Sequence, residues 1–569
     1  MVHLIRTGSG RAPLRYRGSA SSLALLLFFT AVFPMLAAPP ALEQFHPVSA
    51  GIGTSNLLSA SGALGSWPPK VWTSTDSVQL IPQSNSPNFV LLVASNAQPG
   101  PILIRLYNAE GSSLPRMLML TQTQDEREKE PNDDWRELGD AITNSITISG
   151  RLDKAGDVDS FRVRVRAGQT LVSRLEAYVF GSPVDAVIRI LDSRGVQLGL
   201  NHDDGMTLDP LLAVTAHQTE DWTLQVFGFS YPAGSDVRFH GSASCVYRMH
   251  ISTDPWARHV VPLGIPLEGD GRRQVLGWNL STDPSASMAP VRVEEVRDRP
   301  WARAWFPGVP HPVLVSVGLE REILEQEAGQ ELEVPLAVTG QLRRSGERDC
   351  YRFKAKKGQV IVASVSASVF GFSVDPVLEI LDSSGKQLAR ADDGAGRDPE
   401  LSWTSPEEGV YTACVSQLLR HAAPDDWYRL ALELPAQGFR PRTSGHQFVF
   451  GAGTTNEITV ALGRRHGFAD PMEVSLKTSP AGVECAPVEV PATASEAKLK
   501  VRVDKGAAAF SGPVRVMVRN RRTQAEQPAP FELVTSGVDN GVPNGFQILA
   551  VEQVDDLWLT VTPSPPEKP

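Results

Sequence analysis

Along almost the whole of this chain, apolar residues fall at every second position in short runs, and each run stops at a cluster of Gly, Pro, Asn, Asp or Ser. Such alternation puts one side of a strand on a core and the other in water, so the pattern predicts successive half-buried strands joined by tight turns. One set comprises Phe161, Val163 and Val165, then Leu171, then Val187, Ile188, Ile190 and Leu191, then Trp222, Leu224 and Val226. A second set answers it with Tyr351 and Phe353, Val360 and Val362, Val377, Leu378, Ile380 and Leu381, then Tyr411, Ala413 and Val415. The turns repeat as well. Gly150 is matched by Gly340, Phe180-Gly181 by Phe370-Gly371, Asp185 by Asp375, and DSRG ending at Gly195 by DSSG ending at Gly385. One deletion later, Asp203-Asp204-Gly205 is matched by Asp392-Asp393-Gly394 and Asp209-Pro210 by Asp398-Pro399. Core alternation and turn chemistry repeated in register specify a scaffold made twice.

No segment with helical period separates these strands, so crossover helices and a parallel sheet are not expected. The predicted class is all-β, with tandem jelly-roll or β-sandwich modules and flanking immunoglobulin-like sandwiches. A length of 569 residues spreads over roughly three to five domains. The expected divisions are an N-terminal sandwich over 45–125, a first repeat over 126–253, an intervening β-rich segment over 254–334 and a second repeat over 335–435. An immunoglobulin-like sandwich over 436–535 and a C-terminal extension over 536–569 complete the chain.

Composition adds a destination. Arg6, Arg11, Arg15 and Arg17, with no acid among them, precede the apolar run SLALLLFFTAVFPMLAA, the layout of an export signal over residues 1–38. The run is shorter than the roughly 20 residues a spanning helix needs and is broken by Pro34, and no later segment is apolar enough to cross a bilayer. A secreted, periplasmic or cell-surface protein with no transmembrane segment in its mature form is expected. Losing the signal would move the formal net charge from −10 to −14, a surface that does not attract nucleic acid. Four Cys in so long a chain leave folding to the cores but permit a bridge in an oxidising compartment. Cys350 and Cys414 both belong to the second repeat, where the first has Ser160 and Gln225; each points away from its core-directed neighbours by alternation. Two cysteines present together in one copy and missing together from the other predict a Cys350–Cys414 disulfide.

The charged linker EKEPNDD, followed by SGRLDKAGDVDSFRVRVRAGQ and ILDSRGVQL, resembles the bacterial pre-peptidase C-terminal domain, a module often appended to secreted peptidases and related to clostridial collagen-binding domains. The family's E-x-E-P-N linker corresponds to Glu128, Glu130, Pro131 and Asn132, its D-x-D-x-aromatic strand to Asp157, Asp159 and Phe161, and its late strand to Trp222, Leu224 and Val226. The two copies cover about 220 residues. The resemblance implies a structural Ca²⁺ site fastening linker to jelly roll. The residue chemistry agrees: Glu128, Glu130, Asn132, Asp133, Asp157 and Asp159 offer the carboxylate and amide oxygens that Ca²⁺ takes in sixes to eights. The same residues also read as a solvated acidic linker. In the second copy Asp349 matches Asp159 and Glu347 matches Asp157, but no E-P-N precedes them; by simple offset Gly318, Glu320 and Glu322 stand at the linker positions, so that site is expected to be weak or missing.

Catalysis is not expected. The chain has no G-x-S-x-G elbow, no H-E-x-x-H and no Cys in a signature context, and its eleven His are scattered. The DDG-x3-DP segments are expected to be Asx-type turns, and Phe227, Phe229 and Tyr231 to pack in core or loop. The expected function is binding or display, with an extracellular polymer or cell-surface protein as partner. The alternative is an accessory or chaperone-like subunit of a separately encoded secreted peptidase or hydrolase.

Overall fold

A computed structural model describes residues 38–569 except 85–86, 123–124, 205–207, 230–238, 267–272, 282–287, 290–291, 295–300, 307–308, 310, 318–320, 327–329, 395–396, 422, 424–425, 537–547 and 564–569. The segment expected to direct export, but for Ala38, lies outside these residues. The chain is all-β, its described elements being strands and two single-turn 3-10 helices, and no helix among the described residues is long and apolar enough to cross a membrane.

Each repeat is a pair of sheets closed over one core. In the first, Leu211–Thr215, Thr170–Glu176, Val246–Ser252, Ile146–Arg151 and Asp125–Arg127 face Asp159–Val165, Glu220–Phe229, Asp185–Leu191 and Gln197–Asn201. The second repeat has the same strand order, with one short added strand, Glu331–Leu332, beside Arg348–Ala355. The alternating residues point as their spacing requires: Val163, Val165, Ile188, Ile190, Leu224 and Val226 fill one core, and Tyr351, Phe353, Leu378, Ile380, Ala413 and Val415 the other.

The repeated turn residues divide into two kinds. Asp192 and Asp382 make local turns, accepting from the N–H groups of Arg194 and Val196 and of Ser384 and Lys386. Asp209 and Asp398, expected to bond their own backbone, reach across the module instead. Asp209 accepts from the N–H groups of Ala177, Tyr178 and Val179 at 2.8, 2.7 and 3.1 Å, and Asp398 does the same for Ala367, Ser368 and Val369. The Asp-Pro motif therefore caps the Phe-Gly turn of its own repeat, because the donors of a one-turn helix otherwise have no acceptor.

Three sandwiches frame the repeats, and all three share a split first strand. Ala41–His46 runs antiparallel to Ser55–Ala63 in one sheet, then Ser49–Gly51 runs parallel to Arg116–Thr121 in the other. Trp256–Val261 and Gly264–Ile265 do the same in the intervening segment, as do Arg442–Thr443 and Gln447–Gly451 in the last body. The expected extension over 536–569 is not an appendage: Leu557–Thr562, buried along nearly its whole length, is the strand that pairs with Gln447–Gly451 and Phe510–Asn520.

The modules are joined by specific contacts. Thr170 and Asn279 exchange two hydrogen bonds between the first repeat and the middle sandwich. Leu263 N–H donates to Thr339 Oγ1 in the second repeat. Arg258 holds Asp204 of the first repeat through both guanidinium nitrogens, at 2.6 and 2.7 Å, and donates to the Gly371 carbonyl of the second at 3.0 Å. The ends of the described chain also meet. Arg105, fully buried in the first sandwich, binds His446 Nδ1 and the Asp556 carbonyl of the last, between Trp72 and Trp558.

Candidate metal centre

The linker becomes part of the first repeat by strand addition. Asp125–Arg127 pairs in parallel with Ile146–Arg151, and Glu128 N–H donates to the Ser149 carbonyl, which delivers the Glu128 side chain over the sheet edge. Glu128 Oε1 accepts from Arg151 N–H at 2.6 Å. Its Oε2 lies 3.0 Å from the hydroxyl of Tyr247, which is also 2.6 Å from Asp159 Oδ2. One phenolic proton cannot serve two carboxylates. Gly150 makes this arrangement possible: a Cβ there would stand 2.2 Å from the Tyr247 ring and 2.6 Å from Glu128 Oε2. Gly340 lies just as close under Tyr428 in the second repeat, which explains why this glycine recurs.

Of the six predicted ligands the fold gathers four. Glu128, Glu130 and Asp159 bring a carboxylate oxygen each within 4.8 Å of one another. The Asn132 carboxamide turns its oxygen toward Glu130 Oε2 at 3.1 Å and Asp159 Oδ1 at 3.3 Å. With its nitrogen turned that way instead, the amide donates to both carboxylates. Asp133 and Asp157 stand aside, bridged by Lys154 Nζ at 3.2 and 3.3 Å. A single ammonium offsets part of the charge of these two carboxylates.

The electrostatics of the four describe an excess of negative charge. Burial pushes the Asp159 carboxyl far up and the Glu128 charge pushes it further, while burial also raises Glu128 and Glu130. A divalent cation bound there would offset that charge. The donor set is all oxygen, from residues on two chain segments, and contains no imidazole or thiolate, which fits Ca²⁺ held by Glu128, Glu130, Asn132 and Asp159. In the whole protein, Ca²⁺ at ten times its Kd should stabilise the first repeat by ~1.4 kcal/mol. Calorimetry should show the upward shift in the parent and in Asp133→Ala and lose it in Asp159→Ala; an undiminished shift in Asp159→Ala would place the ion elsewhere.

The second repeat departs differently from what simple offset predicts. Its linker strand Glu322–Leu324 pairs with Leu336–Gln341 so that Glu325, whose N–H donates to the Thr339 carbonyl, is the counterpart of Glu128. The matching positions are thus Glu325-Gln326-Glu327, an E-x-E retained in sequence, rather than Gly318, Glu320 and Glu322. Gly318, Glu320 and Glu327 lie outside the described residues. Glu322 is taken by Arg429, and Asp349 accepts from Tyr428, whose hydroxyl meets that of Tyr351 at 2.7 Å. Tyr351 stands where the first repeat has Phe161, so the second repeat carries one extra hydroxyl, bonded to Tyr428, beside this carboxylate.

Alternation alone missed Tyr247 and Tyr428, which orient both clusters. The signal was present in the repeated Tyr-Arg of VYRMHIS and WYRLALE. Of the aromatics at the end of the late strand, Phe227 is buried, Phe229 is exposed, and Tyr231 lies outside the described residues. On the same outer sheet face of the second repeat, Cys350 and Cys414 are directly opposed across Arg348–Ala355 and Gly409–Gln417 and are joined by a disulfide. Ser160 and Gln225 occupy the equivalent pair and share a hydrogen bond of 3.1 Å.

No protein-family model matches the chain, and no curated protein matches it. Among solved structures, a pre-peptidase C-terminal domain of a collagenase from Bacillus anthracis is a weak neighbour: 17% identity, 19% of this chain and 98% of that one, TM-score 0.16. A Salmonella alpha-2-macroglobulin mutant aligns over 94% of this chain and 47% of its own, at 9% identity and TM-score 0.14. At these TM-scores neither likeness carries weight for fold or activity.

Proposed function

We propose that this is a secreted, non-catalytic multidomain protein that engages an extracellular polymer or a cell-surface partner through its first repeat, with Ca²⁺ fastening linker to module. One observation carries the reading. The strand Gln197–Asn201 is the outermost of its sheet, and Val196, Leu198 and Leu200 along it are 53, 40 and 40% exposed. Proteins ordinarily blunt such an edge with charge, and the second repeat does so, with Lys386 and Arg390 at the positions of Val196 and Leu200. An apolar row left bare in one copy and charged in the other favours contact with something else.

The test is retention of the mature chain on immobilised polysaccharide, collagen and cell envelope. Binding should weaken about tenfold or more in Val196→Lys/Leu198→Lys, each anchor being worth about 1 kcal/mol or more. Retention on none of the matrices would overturn the reading, and steady co-purification of a hydrolase from culture fluid would replace it with the accessory-subunit one.

A further inference from the structure

A second cluster lies in the first repeat, away from the linker. Asp185 opens the strand Asp185–Leu191, and His202 and Asp203 follow directly on Gln197–Asn201 beside it, so that Asp185, His202 and Asp203 bring their ligand atoms within 4.8 Å of one another. His202 Nδ1 is 3.1 Å from Asp203 Oδ2. Asp185 Oδ1 and Asp203 Oδ1 are buried and have no hydrogen-bond partner. Leaving buried carboxylate oxygens without donor or counter-charge is costly, and native structures seldom do it.

The second repeat shows how the same backbone meets that cost. There the equivalent carboxylates are Asp375 and Asp392, and each has an arginine: Arg397 lies 3.8 Å from Asp375, and Arg390 lies 2.9 Å from Asp392. In the first repeat both arginines are replaced by leucines, Leu208 for Arg397 and Leu200 for Arg390, and His202 is an added residue between Asn201, the counterpart of Ala391, and Asp203. Asp204, the next residue, cannot help, because its carboxylate is held by Arg258. Two carboxylates have lost their fixed cations and gained an imidazole.

We propose that Asp185, His202 and Asp203 bind a divalent transition-metal ion of the zinc class. Two carboxylate oxygens with one imidazole nitrogen suit zinc-like ions and not Ca²⁺, which takes oxygens in larger number. The His202 side chain is half exposed, so a three-residue ligand set leaves a coordination position open to water or to a donor group of a bound partner. The site depends neither on the linker cluster nor on the apolar edge, and can stand if either of those readings fails.

The whole secreted protein, kept in excess Ca²⁺ to occupy the linker cluster, is titrated with Zn²⁺ by calorimetry and with Co²⁺ by visible absorption. One equivalent should bind, with the Co²⁺ bands of a low-coordinate His/carboxylate site. His202→Ala, at an exposed position, should weaken binding by about tenfold or more, as should Leu208→Arg, which restores the arginine of the second repeat. Glu130→Gln should leave it unchanged. Failure of the parent to bind either ion, or parental affinity in His202→Ala or in Leu208→Arg, overturns the proposal.

Discussion

Replacing Glu322 by Gln should destabilise the second repeat by about 3–5 kcal/mol. Glu322 meets the Arg429 guanidinium edge-on, with Arg429 Nη2 2.5 Å from Oε1 and Nε 3.1 Å from Oε2, and the two side chains are 0 and 5% exposed. The middle sandwich seals the pair, since Gly264 lies so close that a Cβ would fall 2.1 Å from the Glu322 carboxyl carbon. Losing the carboxylate leaves a buried guanidinium with only the more distant Glu433 carboxylate to offset it. Desolvation dominates, not the attraction itself, so removing both charges should hurt much less than removing one. Denaturant unfolding should therefore rank Glu322→Gln well below Glu322→Leu/Arg429→Leu. A Glu322→Gln protein as stable as the parent would sink the argument.

Exchanging the disulfide for the first repeat's own pair, Cys350→Ser with Cys414→Gln, should cost about 3 kcal/mol. The bridge closes 64 residues, and a loop of that size lowers unfolded-state entropy by roughly 4 kcal/mol. The replacement hydrogen bond, like that between Ser160 and Gln225, returns about 1 kcal/mol. Under reductant the parent should fall about 1 kcal/mol below the variant, which has the replacement hydrogen bond and should not respond. Free alkylation of Cys350 in unreduced, denatured protein would rule the bridge out.

These two features were unequally legible in the sequence. The cysteine pair could be read because the repeat supplied a control: two positions that changed together are two positions that touch. The Glu322–Arg429 pair could not, because a parallel strand addition sets its own register and nothing in the spacing of charges fixes that register. The same blindness moved the E-x-E of the second linker by several residues. Strand faces were predicted well, since alternation and burial are one property, and Asp192 and Asp382 made the local turns expected of them. Asp209 and Asp398 did not, because a carboxylate that caps a turn some thirty residues away looks, in sequence, like one that caps its own. Tyr247 and Tyr428 were hidden for a related reason: on a fully buried strand a tyrosine is counted as core, and only the fold reveals where its hydroxyl points.

The meeting of the two ends governs how the molecule can be assembled. Arg105 and the Asp556 carbonyl it binds are 451 residues apart in sequence. A ribosome delivers the first sandwich long before the surface that covers it, and through that interval Trp72, Arg105 and Tyr107 lack that cover. Contacts of such separation form last, because the whole intervening chain must be placed before they can close. Each of the five modules has a core of its own, but the joint between first and last waits until the chain has been made as far as Trp558. A chain stopped before Leu557 would lack Trp558 and a core strand of the last sandwich, leaving the aromatic face of the first bare.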